Sequence, residues 1–169
     1  MIASAHVAVG AAIGNIGYLS EKHRIRSITG IFLAGIISHG IMDRIPHEDY
    51  MFFYNFFDGA FTSVPLMVIV ALELVCNGCV LSWIAIKNQS SFCSLIYTFA
   101  GIAGAAIPDV RFVVPSALYS HNPLIKAFDI FHDYFHGPHL PNIFGLLPEL
   151  IFIAAAYWLI WKLQGQNSA

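Results

Sequence analysis

Apolar residues fill five long stretches of the chain, residues 2–19, 27–42, 64–86, 92–108 and 143–161, and most charged residues fall between them. A helix needs about 20 such residues to cross a hydrocarbon core, and only the second stretch is marginal in length. The pattern predicts an all-α fold: a single membrane domain over residues 1–169, built as a bundle of about five transmembrane helices.

A sixth segment behaves differently. Over residues 124–136, Leu124, Ile125, Phe128, Phe131 and Phe135 gather mainly on one helical side, and Asp129, His132, Asp133 and His136 on another. This predicts an interfacial amphipathic helix that covers the mouth of the bundle. The run from Tyr50 to Phe57 is too aromatic for water and too interrupted to span, which suits the headgroup level. Glycines at spacings such as the G-x-x-x-G of Gly10 and Gly14, with Gly17, Gly101 and Gly104 in similar runs, let helix backbones approach closely in lipid. Residues 34–43 echo residues 100–109 with five identities in ten positions, and both segments end on an aspartate.

Composition supports lipid as the solvent. The chain is 57% hydrophobic and 11% charged, against about 25% charged in soluble domains. Net charge is only −2 and the eight Lys and Arg are scattered, so no basic stripe for a nucleic-acid backbone is present. No basic region precedes the first apolar stretch, so it is expected to stay in the mature protein. Lys22, Arg24, Arg26, Lys87 and Lys162 fall on one side of the predicted topology and Arg44, Arg111 and Lys126 on the other. The excess marks the first side as cytoplasmic and implies a multi-pass protein of the plasma or inner membrane. Cys76, Cys79 and Cys93 lie in apolar runs and read as packing residues.

This topology, drawn from hydropathy and basic residues alone, gathers most His and Asp at the opposite, extracytoplasmic face. His6 lies near the outer end of the first span, His39 and Asp43 sit i, i+4 at the end of the second, and Asp109 closes the fourth. His132 and His136 repeat the spacing on the interfacial helix beside Asp129 and Asp133, and Glu149 enters the fifth span. Imidazole and carboxylate together suit a divalent metal such as Zn²⁺, Mn²⁺ or Fe²⁺, one ion or two. Ionisable groups in a membrane are costly unless paired, and a cation pairs several acids at once. Six to eight potential ligands can thus meet in one crevice. His47 is a further possible ligand, His139 an alternative to His136, and His23 and His121 read as loop residues. Glu73, mid-span and remote from the cluster, reads as a structural partner of a neighbouring helix, for instance through Asn77.

The pattern resembles a family of membrane-bound metal-dependent hydrolases, related in motif style to zinc-dependent phospholipase C-like proteins. The matching pieces are Ala5-His6, Ser38-His39-Gly40-Ile41-Met42-Asp43 with Ile45-Pro46-His47, Gly104-Ala105-Ala106-Ile107-Pro108-Asp109, and Phe131-His132 to Phe135-His136. The family's H-R-G-x-T-H-S block is missing, and its G-x-x-x-P-D segment usually precedes its S-H-x-x-x-D segment rather than following it. The resemblance implies that His6, His39, Asp43, Asp109, His132 and His136 are the metal or active-site residues and that the substrate is a phosphoester or other lipid-like ester, drawn from membrane lipid; in such a hydrolase Asp133 or Glu149 would serve as the general base. Two other functions fit the same residues: a metal-ion or proton transporter with Glu73 as a relay, and a structural protein whose cluster ties helices together.

Overall fold

The structure is a computed structural model, and it describes residues 3–21, 27–47, 63–87, 91–112, 122–138 and 143–165. These are all helical or connecting: α1 (Ala3–Glu21), α2 (Ile28–Asp43), α3 (Ser63–Lys87), α4 (Phe92–Ala106), a 3₁₀ turn (Ile107–Phe112), α5 (Pro123–Phe135) and α6 (Ile143–Gly165). Each expected helix is present to within a few residues. Two of them, over Phe92–Asp109 and Phe144–Leu163, are long and apolar enough to cross a membrane, whereas the apolar stretches Ile28–Asp43 and Ala71–Ile86 are shorter. The aromatic run from Tyr50 to Phe57, together with His23, Glu48, Asp49, Asp58, His121 and His139, lies outside the described residues.

Local signals set the helix starts. The Ser27 hydroxyl accepts from the Gly30 amide at 3.2 Å and the Ser91 hydroxyl from the Ser94 amide at 3.2 Å, each satisfying an N–H that has no partner inside its own helix. Asn122 caps α5 through the amides of Leu124 and Ile125, and Pro123 follows at a position where its missing N–H costs nothing. α4 ends where Pro108 interrupts the i−4 ladder and the chain tightens into the 3₁₀ turn.

Small residues decide the packing. A Cβ on Gly10 would stand 2.6 Å from the Gly101 carbonyl oxygen, and one on Gly35 would stand 2.6 Å from the same oxygen. α4 is thus clasped by α1 on one side and α2 on the other at backbone contact. α1 runs antiparallel to α4, with Gly10 near Gly101 and Gly14 near Tyr97 and Thr98. It also runs antiparallel to α2, with Gly17 near Ile31 and His6 near His39. α3 and α6 run in the direction of α1. Ala5 packs with Phe152 and Ile153, and Ala8, Ala11 and Ala12 pack further along with Leu81, Ile84, Ala156 and Ile160.

The sequence echo has a structural counterpart. Gly35 meets Gly101, the His39 ring meets the Ala105 carbonyl, and Asp43 and Asp109 approach the same histidines. The two echoing segments therefore pack on each other with equivalent residues in register.

Candidate metal centre

The centre is built first on α2. His39 and Asp43, one turn apart, share the face that α2 buries, and both are fully buried. The Nδ1 atom of His39 is 2.7 Å from the Ala105 carbonyl oxygen on α4. The i−3 bonding of a 3₁₀ turn leaves carbonyls at the end of the preceding helix without their i+4 donors, so this oxygen suits an outside one. A carbonyl only accepts, so Nδ1 carries the hydrogen and a neutral His39 presents a lone pair at Nε2.

That lone pair faces acids. His39 Nε2 lies 2.9 Å from Asp43 Oδ2 and 3.5 Å from Asp109 Oδ1. His6, from the first turns of α1, brings its Nε2 to 3.2 Å from Asp43 Oδ1. His132, from α5, brings its Nε2 to 3.3 Å from Asp109 Oδ1 and 3.6 Å from Asp43 Oδ2. Two overlapping groups result, His6 with His39 and Asp43, and His39 with Asp109 and His132, each with ligand atoms within 4.8 Å of one another. Two atoms bound about 2.1 Å from one ion stand about 3.0–3.4 Å apart for angles between 90° and tetrahedral. The short distances in the cluster are compatible with neighbouring ligands around a common cation.

His39 Nε2 and His6 Nε2 both stand at hydrogen-bonding distance from Asp43, so a proton on either nitrogen would bond the carboxylate there. Unprotonated, His39 Nε2 would oppose lone pair to lone pair against two carboxylates. A proton within the cluster or a bound cation removes that opposition. The His6 and His39 rings stack with centroids 4.0 Å apart and planes 18° from parallel. Two unit charges at that distance repel by about 4 kcal/mol at an effective dielectric of about 20, which disfavours protonating both rings. These buried His and Asp groups can hold a metal ion; its type is not encoded in the donor set, because imidazole and carboxylate serve several divalent metals.

Burial is uneven. His6, His39, Asp43 and His132 are closed off, while Asp109 keeps 28% of its side-chain surface, so the cluster opens beside the 3₁₀ turn. α5 supplies the remaining cover. The rings of Phe131 and Phe135 close over Gly40, where a Cβ would stand 2.9 Å from Phe135. Beyond α5 the Gly137 amide donates to the Asp43 carbonyl at 2.6 Å. A Cβ on Gly137 would stand 2.6 Å from that carbonyl oxygen and 2.8 Å from the one on Arg44, so a bare backbone is needed for this approach.

Five of the six sequence-predicted ligands thus converge. His136 stands next to them, its ring centroid 4.8 Å from that of His132 and 5.2 Å from that of His47. His47 is fully buried, a degree of enclosure that a loop position after a helix end did not reveal. Asp133 stands behind His132, with Oδ1 3.7 Å from Nδ1, and is 64% exposed. It faces the far nitrogen of the ring from beyond hydrogen-bonding distance. Glu149 is fully buried, one turn before Phe152 and Ile153, which pack on Ala5 and Met42, the residues preceding His6 and Asp43. Glu73, expected mid-span and remote from the cluster, is instead tied to Ser4 at the start of α1, two residues before His6. The Ala105 carbonyl that fixes the His39 ring carries no side-chain signal, so only the fold reveals it.

No family model matches the chain, and no curated protein or solved structure does.

Proposed function

We propose that the protein is a multi-pass membrane protein of about five crossings and a metal-dependent hydrolase that cleaves a phosphoester or other lipid-like ester at the membrane interface. The observation that carries this reading is the His39 ring, held by Ala105 so that its Nε2 faces Asp43 and Asp109 beside the imidazoles of His6 and His132. The resemblance of its His and Asp motifs to membrane-bound metal-dependent hydrolases points the same way.

Membrane insertion is supported by what the helices leave uncovered. Leu33, Ile37 and Ile41 on α2, Phe99 on α4, and Leu150, Ile151 and Trp158 on α6 are all exposed. Apolar surface this extensive is unusual on a soluble monomer. The alternating directions of α1 to α4, with α6 parallel to α1, are those that five crossings require. The basic-residue count puts the cluster on the extracytoplasmic side.

When bound, a divalent cation supplies Lewis-acid activation of water and of the ester oxygen. The chain's own residues do the rest. Asp43 and Asp109 neutralise the charge, and the exposed edge of Asp109 marks the side from which substrate arrives. Asp133 faces the far nitrogen of His132, and Asp133 or Glu149 serves as the general base. Leu124, Ile130 and Tyr134, exposed on α5, keep the opening at the headgroup level, where an amphiphile reaches it without leaving the bilayer.

A transporter is disfavoured by what lies inward of the cluster. Ala8, Ala11, Ala12, Ile84, Ala156 and Ile160 close into an apolar plug there, and among the described residues this cluster contains no ionisable side chain to continue a path. The test is metal analysis of protein extracted in mild detergent, with phosphodiesterase and lipid esterase assays under added Zn²⁺ or Mn²⁺. Bound metal and ester cleavage, both lost in His39→Ala, support the proposal; absence of both from the wild type overturns it.

A further inference from the structure

We infer that Glu73 is a positioning residue for His6, acting through a polar clamp that fixes the start of α1. The inference rests on the metal reading, because His6 matters here as a ligand.

His6 lacks the anchor that His39 has. Among the described residues its Nδ1 has no hydrogen-bond partner, and its Nε2 faces the Asp43 carboxylate at 3.2 Å. Its ring is oriented by stacking on His39 and by where α1 puts its backbone. Metal–ligand distances tolerate about 0.2 Å, so a slide of α1 by even 1 Å would take the His6 Nε2 out of reach.

What stops that slide is two residues away. The Glu73 carboxylate, reaching across from α3, accepts from the Ser4 amide at 3.3 Å and the Ser4 hydroxyl at 3.2 Å through the same Oε2 atom. The Ser4 amide lies in the first turn of α1, where N–H groups have no partner in their own helix and the dipole favours an acid. Glu73 is thus an N-terminal cap supplied by another helix. Asn77, one turn along α3, donates to the Ser4 hydroxyl at 2.9 Å and to the Glu73 carbonyl at 2.7 Å, and accepts from the Tyr157 hydroxyl of α6. Three helices meet in one knot beside the residue that bears the ligand. Leu72, Leu74, Val75 and Cys76, the neighbours of Glu73, are all exposed, so α3 turns its acid inward from a largely apolar surface.

Co²⁺ binding by the purified full chain in detergent tests this, with affinity from chelator competition and ligation from the visible absorption band. Glu73→Ala is expected to lower Co²⁺ affinity about 10–100-fold, the range for losing an outer support of a ligand, and to shift the band towards that of His6→Ala. Glu73→Gln keeps an oxygen acceptor for Ser4 and should stay within about threefold of wild type. Ser4→Ala removes one of the two bonds without touching the acid, and should lower affinity by a smaller factor in the same direction. Wild-type affinity and spectrum in both Glu73→Ala and Ser4→Ala, whatever happens to their melting temperatures, overturn the inference and leave the metal reading standing. Should Glu73→Ala fail to fold, unchanged binding by Ser4→Ala overturns it alone. Failure of the wild type to bind Co²⁺ overturns the metal reading and this inference with it.

Discussion

The Nε2 of His39 faces the Oδ2 of Asp43 across 2.9 Å while the other ring nitrogen of His39 is committed to the Ala105 carbonyl. Two residues of one helix are thereby held as a pair of potential ligands by the backbone of another. Removing either should unmake the centre. His39→Ala is expected to lower divalent-metal affinity by at least 100-fold in chelator competition, and His39→Gln should not restore it, because an amide lacks the imidazole lone pair.

Asp109 and Asp133 contact opposite sides of the same His132 ring, and their variants should separate accordingly. Asp109→Asn removes a ligand charge and should abolish tight binding. Asp133→Asn touches only the far nitrogen and should cost about tenfold. Equal losses would mean that Asp133 belongs to the inner set.

At Gly35 the neighbour is backbone. A Cβ there would stand 2.6 Å from the Gly101 carbonyl and 2.8 Å from the Ala105 amide. Gly35→Ala should therefore push α2 from α4 and destabilise the bundle by about 1–3 kcal/mol, read as a lowered melting temperature in detergent. Because Ala105 also holds His39, metal affinity should fall with it.

Gly137 gives a contrasting case. Gly137→Ala would press on the carbonyls of Asp43 and Arg44 beyond the end of α5 and shift His132 while leaving the α1–α4 packing intact. Metal affinity should drop about tenfold with a melting temperature near that of the wild-type protein stripped of metal.

Cys76 and Cys79 are exposed on α3 and serve as natural probes of its surroundings. If that face meets lipid, a membrane-impermeant maleimide should leave both thiols unmodified in intact and in ruptured membranes and label them after detergent denaturation. Rapid labelling in ruptured membranes without detergent would mean that the face meets water.

Much of the fold was legible along the chain. Helix positions follow from long apolar runs, serine and asparagine caps and Pro108, all of which act through neighbouring backbone. The gathering of His and Asp at one end was legible too, since alternating helix directions fix which ends share a side. The glycine positions signalled close approach without naming partners; only packing decided that α4 lies between α1 and α2, and that the two echoing segments meet in register.

The ligand set needed tertiary structure. Spacing on one helix says that two side chains share a face, but not which nitrogen points where, nor how far each helix is turned about its axis. Those quantities decided that His6, His39, Asp43, Asp109 and His132 share one centre, that His136 pairs with a buried His47, and that Asp133 stands behind His132. They depend on contacts between segments as far apart as Ser4 and Asn77 or His39 and Ala105. The sequence by itself determined an apolar helical chain with its ionisable groups at one end. The packing of helices at glycine contact, which sets rotation and register to within a ligand bond length, decided that those groups form a site.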